Sequence, residues 1–147
     1  MLAVDTNILV YAHRREVEEH AAAAGVVRDL AEGPFSWAIP WPCLYEFFSV
    51  VTNPRIWGSV ASTPTQAWAQ IEAWLGSPSL RLLAETEEFA AVLAGFVCRP
   101  KVRGAVVHDA RVDALCVEHG VEALLTRDRD FSLFEELRVR NPLRREK

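Results

Sequence analysis

Four acidic side chains, spread over most of the 147-residue chain, have the types and positions needed to hold a divalent metal ion. Two of them end or closely follow short apolar runs that are typical of buried strands, and two lie in segments with helical spacing. Mg²⁺ and Mn²⁺ prefer oxygen ligands, and Mg²⁺ usually takes only a few carboxylates while keeping several waters. Two unit charges about 4 Å apart repel by about 4 kcal/mol at an effective dielectric of 20, so such a cluster should depend on its metal. The candidates are Asp5, Glu46, Asp109 and Asp128.

The strands and helices that would position these side chains alternate along the whole chain. Short segments rich in apolar residues predict strands over residues 1–4, 35–39, 80–83, 121–126 and 137–140. Helical spacing predicts helices that begin near residue 8, cover 18–32, follow Pro42, cover 65–75, open at Thr86 and cover 107–119. Thr6 or Asn7 is expected to cap the first helix. The alternation favours an α/β fold with a mainly parallel sheet and helices on both faces, in a single domain over residues 1–147.

Sheet geometry and helical spacing place the four carboxylates differently. The carboxyl ends of parallel strands meet at one edge of a sheet, so Asp5 and Asp128 are expected to be neighbours. Glu46 lies off the apolar stripe of its helix and is predicted to face solvent, where only the company of the other carboxylates would make it functional. Asp109 and Asp113 stand one turn apart. If their face is buried, each needs a hydrogen-bonding partner or a cation; if it is exposed, the pair favours the helix dipole.

Composition narrows the classes of protein without identifying one. Half of the residues are apolar and 24% are charged, as in ordinary globular proteins. No leader segment or membrane span is expected from the sequence. The three cysteines have no paired spacing, which favours reduced thiols in a cytoplasm over disulfides or a zinc site. The net charge of -4 argues only mildly against nucleic acid as a partner, because acidic groups at a metal site bias the total.

Other conspicuous residues are predicted to have structural roles. The basic groups are interpreted as solvated surface, and they comprise Arg14 with Arg15, Arg99 with Lys101 and Arg103, and Arg127 with Arg129. Trp57, Trp68 and Trp74 are expected in the core or at a dimer contact. The histidines form no catalytic pattern and are expected at the surface or in packing; they are His13, His20, His108 and His119.

Several of these segments together resemble the PIN-domain ribonucleases. They are Val4-Asp5-Thr6-Asn7-Ile8-Leu9, the isolated Glu46, Val107-His108-Asp109-Ala110-Arg111-Val112-Asp113-Ala114-Leu115-Cys116, and Leu125-Thr126-Arg127-Asp128-Arg129-Asp130-Phe131. In order and separation they are most similar to the VapC toxins of bacterial type II toxin-antitoxin systems. Thr52-Asn53-Pro54-Arg55 is similar to a subgroup common in actinobacteria. The resemblance covers nearly the whole chain and implies a three-layer PIN-like fold.

The resemblance assigns roles to individual residues. It implies that Asp5, Glu46, Asp109 and Asp128 form the acidic catalytic and metal site, with Thr6 and Thr126 in supporting hydroxyl positions. Asp130 is a second acidic residue of the closing motif, and of its two expected roles, at the site or as a cap on the turn before Phe131, the cap is favoured. Asp113 departs from the family pattern, in which a small residue such as alanine is usual, and this leaves solvent or a second metal ion as its expected surroundings.

The implied function is a Mg²⁺- or Mn²⁺-dependent endoribonuclease that hydrolyses RNA phosphodiester bonds, leaving a 5′-phosphate and a 3′-hydroxyl, as the toxin of its module. The implied partners are RNA, a VapB-type antitoxin that covers the acidic pocket, and a second copy of the chain, all in the cytoplasm. Two alternatives are a PIN-like module that binds RNA or protein without cutting, and a phosphohydrolase in which Asp5 is phosphorylated. The second alternative requires an aspartate at position 7, where Asn7 stands.

Overall fold

A parallel sheet forms the centre of the protein. The computed structural model describes residues 1–127 and 134–144, and within them five strands form one sheet in the order β3-β2-β1-β4-β5, with every neighbouring pair parallel. The strands are β1 (Leu2–Val4), β2 (Trp37–Pro40), β3 (Leu80–Leu83), β4 (Ala123–Leu125) and β5 (Arg138–Arg140). The predicted α/β fold with a mainly parallel sheet is confirmed.

Helices connect the strands. They are α1 (Thr6–His13), α2 (His20–Glu32), α3 (Trp41–Val51), α4 (Pro54–Trp57), α5 (Pro64–Leu75), α6 (Phe89–Val97) and α7 (Val106–Glu118). One short helix, α4, is not among the helices that the sequence predicts. The Asn53 side chain caps α4 by accepting a hydrogen bond from Arg55 N at 2.9 Å, and Pro54 occupies a first-turn position where its missing N–H costs nothing.

Both faces of the sheet are covered. Consecutive strand residues point to opposite faces, and Ala3 and Val4 of β1 are both fully buried. The larger apolar cluster packs residues of α1, α2, α3 and α5 against the central strands. A second cluster joins α6 to α7 and includes Val102, which anchors the otherwise exposed basic segment 100–104. Within the described part of the chain, no helix combines the length and the apolar character needed to cross a bilayer.

Candidate functional site

The candidate site lies where β1 and β4 end side by side. Val4 is in register with Leu125, and the next amide, Asp5 N, donates to Leu125 O at 3.0 Å. This pairing brings Asp5 next to Thr126, as the rule for parallel strands predicts. Asp128 and Asp130 lie outside the described residues, so their predicted roles stay predictions.

Asp5 caps α1, a role that the sequence had suggested for Thr6 or Asn7. Its Oδ1 accepts a hydrogen bond from Thr6 N at 2.9 Å and a weaker one from Cys43 Sγ at 3.6 Å, and the residue is only 7% exposed. Burial, and next the negative charge of Asp5, raise the pKa of the Cys43 thiol well above its usual range, so the thiol stays protonated and donates. The Asp5 carboxylate is therefore held in one orientation.

Glu46 reaches the same place from α3. Its Oε2 accepts a hydrogen bond from Thr6 Oγ1 at 3.1 Å, which ties the exposed glutamate to the start of α1. The prediction that Glu46 faces solvent is confirmed, and the Thr6 contact supplies the tertiary neighbour that helical spacing could not reveal. Thr6 thus orients one carboxylate through its hydroxyl and another through its backbone amide.

Asn7 was not singled out as a site residue by the sequence, yet it joins the two strand ends. Its Nδ2 donates to Thr126 Oγ1 at 2.8 Å, and its Oδ1 accepts from Arg127 N at 3.1 Å. Arg127 in turn packs over the Tyr11 ring and pairs with Glu19 of the α1–α2 connection. The hydrogen bond to Glu19, followed by that to Tyr11, raises the pKa of Arg127. The signal in the sequence was Asn7's place directly after Asp5 and Thr6.

These side chains border an open pocket of about 390 Å³. Asp5 comes from the end of β1, Glu46 from α3 and Asp109 from the first turn of α7, so three elements supply three carboxylates. The pocket is lined by Asp5, Thr6, Asn7, Val10, Tyr11, Glu46, Val50 and Asp109. The structure brings these three acids of the predicted set of four to one pocket, and the fourth, Asp128, lies outside the described residues.

The donor chemistry of the pocket suits a hydrated hard cation. Among residues 1–127 and 134–144, no three acidic, imidazole or thiol groups are close enough to hold a metal ion together. Mg²⁺ commonly takes only one or two carboxylates directly and keeps water at its other positions. The three acids that line the pocket fit that mode of binding if one or two of them bind the ion directly and the others act through its bound water.

The two aspartates of α7 have opposite surroundings. Asp109 is exposed and lines the pocket, whereas Asp113 is fully buried. Of the two surroundings expected for Asp113, solvent or a second metal ion, burial excludes solvent. A carboxylate removed from water needs hydrogen bonds or a cation, and Asp113 does not border the pocket that holds Asp109.

Comparison with known proteins agrees with this arrangement. A family model described as the PIN domain matches residues 2–137. Ribonuclease VapC43 of Mycobacterium tuberculosis is 34% identical over 143 residues, covering 97% of this chain and 96% of that protein. Ribonuclease VapC48 of the same species is 33% identical over 138 residues, covering 94% of each.

Solved structures share the fold. The crystal structure of Mycobacterium tuberculosis VapC20, a toxin that cleaves the sarcin-ricin loop, has a TM-score of 0.65 at 22% identity and covers 94% of this chain and 99% of that one. VapBC2 from Rickettsia felis, bound to a DNA fragment from its promoter, has a TM-score of 0.69 at 17% identity and covers 95% of this chain and 97% of that one. The PIN-like fold expected from the motifs is confirmed.

Proposed function

Because the chain belongs to the PIN domain family, we propose that it is a metal-dependent endoribonuclease and the toxin of a type II toxin-antitoxin module. The observation that carries the proposal is the convergence of Asp5, Glu46 and Asp109, from three different elements, on one pocket. The relatives named as ribonucleases span nearly the whole chain, which supports RNA as the substrate and a single domain over residues 1–147.

The residues of the pocket would divide the work between holding charge and holding position. Asp5, Glu46 and Asp109, together with Asp128, which the family pattern adds, would hold Mg²⁺ or Mn²⁺, one or two of them directly and the others through bound water. The bound ion supplies Lewis-acid activation of water and stabilises charge that builds up on the phosphate. Thr6 orients Asp5 and Glu46, and Asn7 holds Thr126 and Arg127 beside them. No side chain needs to act as a covalent nucleophile.

A VapB-type antitoxin is the proposed protein partner. With its three carboxylates, the pocket would attract a cationic side chain, and an arginine can engage a carboxylate through two parallel hydrogen bonds. An antitoxin segment placing an arginine there would exclude both the metal and RNA. We place the module in the cytoplasm, which agrees with the thiols of buried Cys43 and exposed Cys98.

We also propose a homodimer. Large apolar side chains are exposed on α4, on the turn that follows it and on α5, where a second copy would cover them; they are Ile56, Val60, Trp68 and Leu75. Trp74, by contrast, is buried in the core of the single chain. Native mass spectrometry at micromolar concentration should give twice the mass of the chain, and a monomer mass would count against the dimer.

The hydrogen bonds of Asn7 argue against the alternative hypothesis, a phosphohydrolase in which Asp5 is phosphorylated. That mechanism needs a second acid at position 7, but Asn7 stands there, and its amide donates to Thr126 Oγ1 and accepts from Arg127 N. A module that binds without cutting remains the alternative, and the presence of all four family carboxylates in the sequence argues against it.

The experiment is cleavage of total cellular RNA by the purified protein, with Mg²⁺, Mn²⁺ or chelator, followed by mapping of new 5′ ends. We expect cleavage that leaves 5′-phosphates, requires metal and is lost in Asp5→Asn. Asp29→Asn, on the exposed surface of α2, is the matched control and should cut like the wild type. Cleavage that survives in Asp5→Asn or in chelator would refute the mechanism, and failure to cut any RNA in the presence of metal would favour the binding module.

A further inference from the structure

A stacked pair of aromatic rings, a half-buried Trp41 and an exposed Tyr45, stands next to the acidic pocket. Trp41 and Tyr45 are four residues apart on α3 and therefore share a face of that helix. Their ring centroids are 6.0 Å apart with an angle of 29° between the planes, so the rings are stacked. Tyr45 is nevertheless 63% exposed, and the residue that follows it is Glu46. Core packing does not account for a tyrosine held in this way at the surface.

Tyr45 lines a second pocket that shares its acidic floor with the first. This pocket has a volume of about 620 Å³, and it includes Asp5, Glu46 and Asp109 from the first pocket. Its other walls come from α3 and α7 and consist of Pro42, Tyr45, Ser49, Ala105, His108, Arg111 and Val112. The volume lies within the roughly 300–1,000 Å³ that is usual for pockets that enclose a small organic group. A group bound against Tyr45 would therefore adjoin the proposed metal site directly.

The charges in the second pocket restrict what could occupy it. Asp5, Glu46 and Asp109 together repel an additional phosphate, and the rim cation Arg111 is already engaged by Glu85, with Arg111 Nε donating to Glu85 Oε1 at 2.8 Å. A neutral flat ring meets no such repulsion and gains contact with the tyrosine face. Bases of single-stranded RNA are such rings, and proteins commonly hold them by stacking on aromatic side chains.

We propose that Tyr45, supported by Trp41, stacks on the base of a nucleotide next to the scissile phosphate of a single-stranded RNA substrate. The inference rests on the proposed ribonuclease function and adds to it a base-binding subsite. Stacking tolerates every base, because each has a π face. The subsite therefore positions the RNA without selecting its sequence.

The test uses a single-stranded oligoribonucleotide of about 12 nucleotides, centred on a cut mapped in total RNA. We expect Tyr45→Ala to lower kcat/KM roughly 10-fold, since base stacking on an aromatic ring is commonly worth at least about 5-fold. Tyr45→Phe retains the ring and should recover most of the loss. Phe35→Ala is the control. Phe35 is an aromatic residue that is 82% exposed, and it precedes β2, at the amino-terminal ends of the parallel strands, whereas the site lies at their carboxyl ends.

Two further measurements separate stacking from a general effect on folding. Removing the base from each nucleotide near the cut in turn should identify one position where the wild type loses about 10-fold and Tyr45→Ala loses nothing more. In an Asp5→Asn background that prevents cleavage, 2-aminopurine at that position should be quenched on binding, and the additional Tyr45→Ala change should abolish the quenching.

The outcomes distinguish this proposal from the ribonuclease function on which it rests. If the wild type cuts no RNA in the presence of metal, the function itself fails. If the wild type cuts but Tyr45→Ala keeps both its kcat/KM and the 2-aminopurine quenching within twofold, the subsite is refuted and the ribonuclease stands. If Tyr45→Ala cuts more slowly but still loses activity on removal of each base as the wild type does, Tyr45 acts through the structure and the subsite is likewise refuted.

Discussion

The two ends of α1 carry polar side chains in opposite circumstances. At its start, Asp5, Thr6 and Asn7 are held by hydrogen bonds but border a pocket that is open to solvent. At its end, His13 and Arg14 are turned toward the segment between α4 and α5, where they meet polar partners within the protein. The helix therefore has one end at the candidate site and another that joins parts of the fold.

Arg14 makes the closed character of the second end clear. The residue is 6% exposed, its Nη1 donates to Val60 O at 2.9 Å and to Ser62 Oγ at 3.2 Å, and it pairs with Glu16. The guanidinium carbon also lies 4.3 Å from the centroid of the Trp57 ring. A planar cation with five donors suits such a site, since it can satisfy several acceptors while stacking on an aromatic face.

The difference between the two ends shows how a polar group can serve either stability or function. Around Arg14 and Ser62, the polar atoms mostly satisfy one another, so the network fixes the chain after α4 against α1. Around Asp5 and Glu46, the hydrogen bonds orient carboxylates without neutralising them. Mutations at the first end should therefore change catalysis with little effect on stability, and mutations at the second end should do the reverse.

The largest expected effect is on catalysis, from Glu46→Gln. The change keeps the size of the side chain and an acceptor for Thr6 Oγ1, but it removes one of the charges proposed to hold the metal. We expect kcat to fall about 100- to 1,000-fold, comparable to the loss of one preorganised electrostatic group at an active site. The unfolding free energy should stay within about 0.5 kcal/mol of the wild-type value, because Glu46 is exposed. Single-turnover cleavage and urea unfolding measure the two. A fall in kcat that is accompanied by a large fall in the unfolding free energy would contradict the comparison.

The second effect is on stability, from Arg14→Met. Methionine keeps the aliphatic length but removes the donor to Val60 O, one of the two side-chain partners of Ser62 Oγ and the contact with Trp57, so the unfolding free energy should fall by about 2–3 kcal/mol. The matched control, Arg15→Met, changes an exposed neighbour and should cost less than about 0.5 kcal/mol. Cleavage per folded molecule should remain unchanged, and a selective loss of kcat in Arg14→Met would show that this end also serves the site.

Sequence patterns anticipated the start of α1 better than its end. The apolar run of β1 and the rule for parallel strands placed Asp5 at the correct edge of the sheet. Arg14, in contrast, was predicted to lie on a solvated surface together with Arg15, and only Arg15 does. Two adjacent arginines look alike in a sequence. Their fates diverge because the turn after α4 and the aromatic face of Trp57 approach one of them, and such contacts between distant segments leave no local pattern.

Tertiary neighbours likewise determine the burial and the hydrogen bonding of the carboxylates on α3 and α7. Helical spacing correctly predicted that Glu46 is exposed, but its hydrogen bond with Thr6 joins residues 40 positions apart and could not be predicted from α3 alone. For α7, spacing put Asp109 and Asp113 on one face and left its burial open. The structure exposes the first and buries the second. Helical periodicity could not predict which carboxylates lie near one another. The family motifs predicted one site for Asp109 and Glu46, but they offered no role for Asp113.

A third and smaller effect, again on catalysis, is expected from Asn7→Ala at the start of α1. The change removes both bonds that hold Thr126 and Arg127 beside α1, so the segment that leads to Asp128 would lose its anchor. Loss of a residue that orients metal ligands commonly costs about 10- to 100-fold, and we expect kcat to fall about 10-fold. Asn53→Ala is the control, because it removes the asparagine that caps α4, away from the pocket, and about 1 kcal/mol of stability. Similar rates in the two variants would refute a positioning role.

The smallest expected effect is the pH dependence of stability that His13 contributes at the C-terminal end of α1. Nε2 lies 2.8 Å from Ser62 Oγ and Nδ1 lies 3.2 Å from Gln70 Oε1. Burial lowers the pKa of His13 below its usual 6.5; the hydrogen bond to Gln70 and the charge of Glu16 oppose this, while the charges of Arg14 and His20 add to it. The unfolded chain therefore takes up a proton near pH 6.5 that the folded chain does not yet bind.

It follows that the His13 contribution to stability is fully present above pH 6.5 and is lost as the pH falls through 6.5 toward the lowered folded pKa. Urea unfolding at pH 8, 7, 6 and 5 should show the wild type losing more stability than His13→Gln over the acidic half of that series. Carboxylates elsewhere titrate in both proteins and cancel in the difference. Parallel curves would show that His13 does not titrate differently on folding. A matching change in kcat per folded molecule would show that the two ends of α1 are coupled rather than separate.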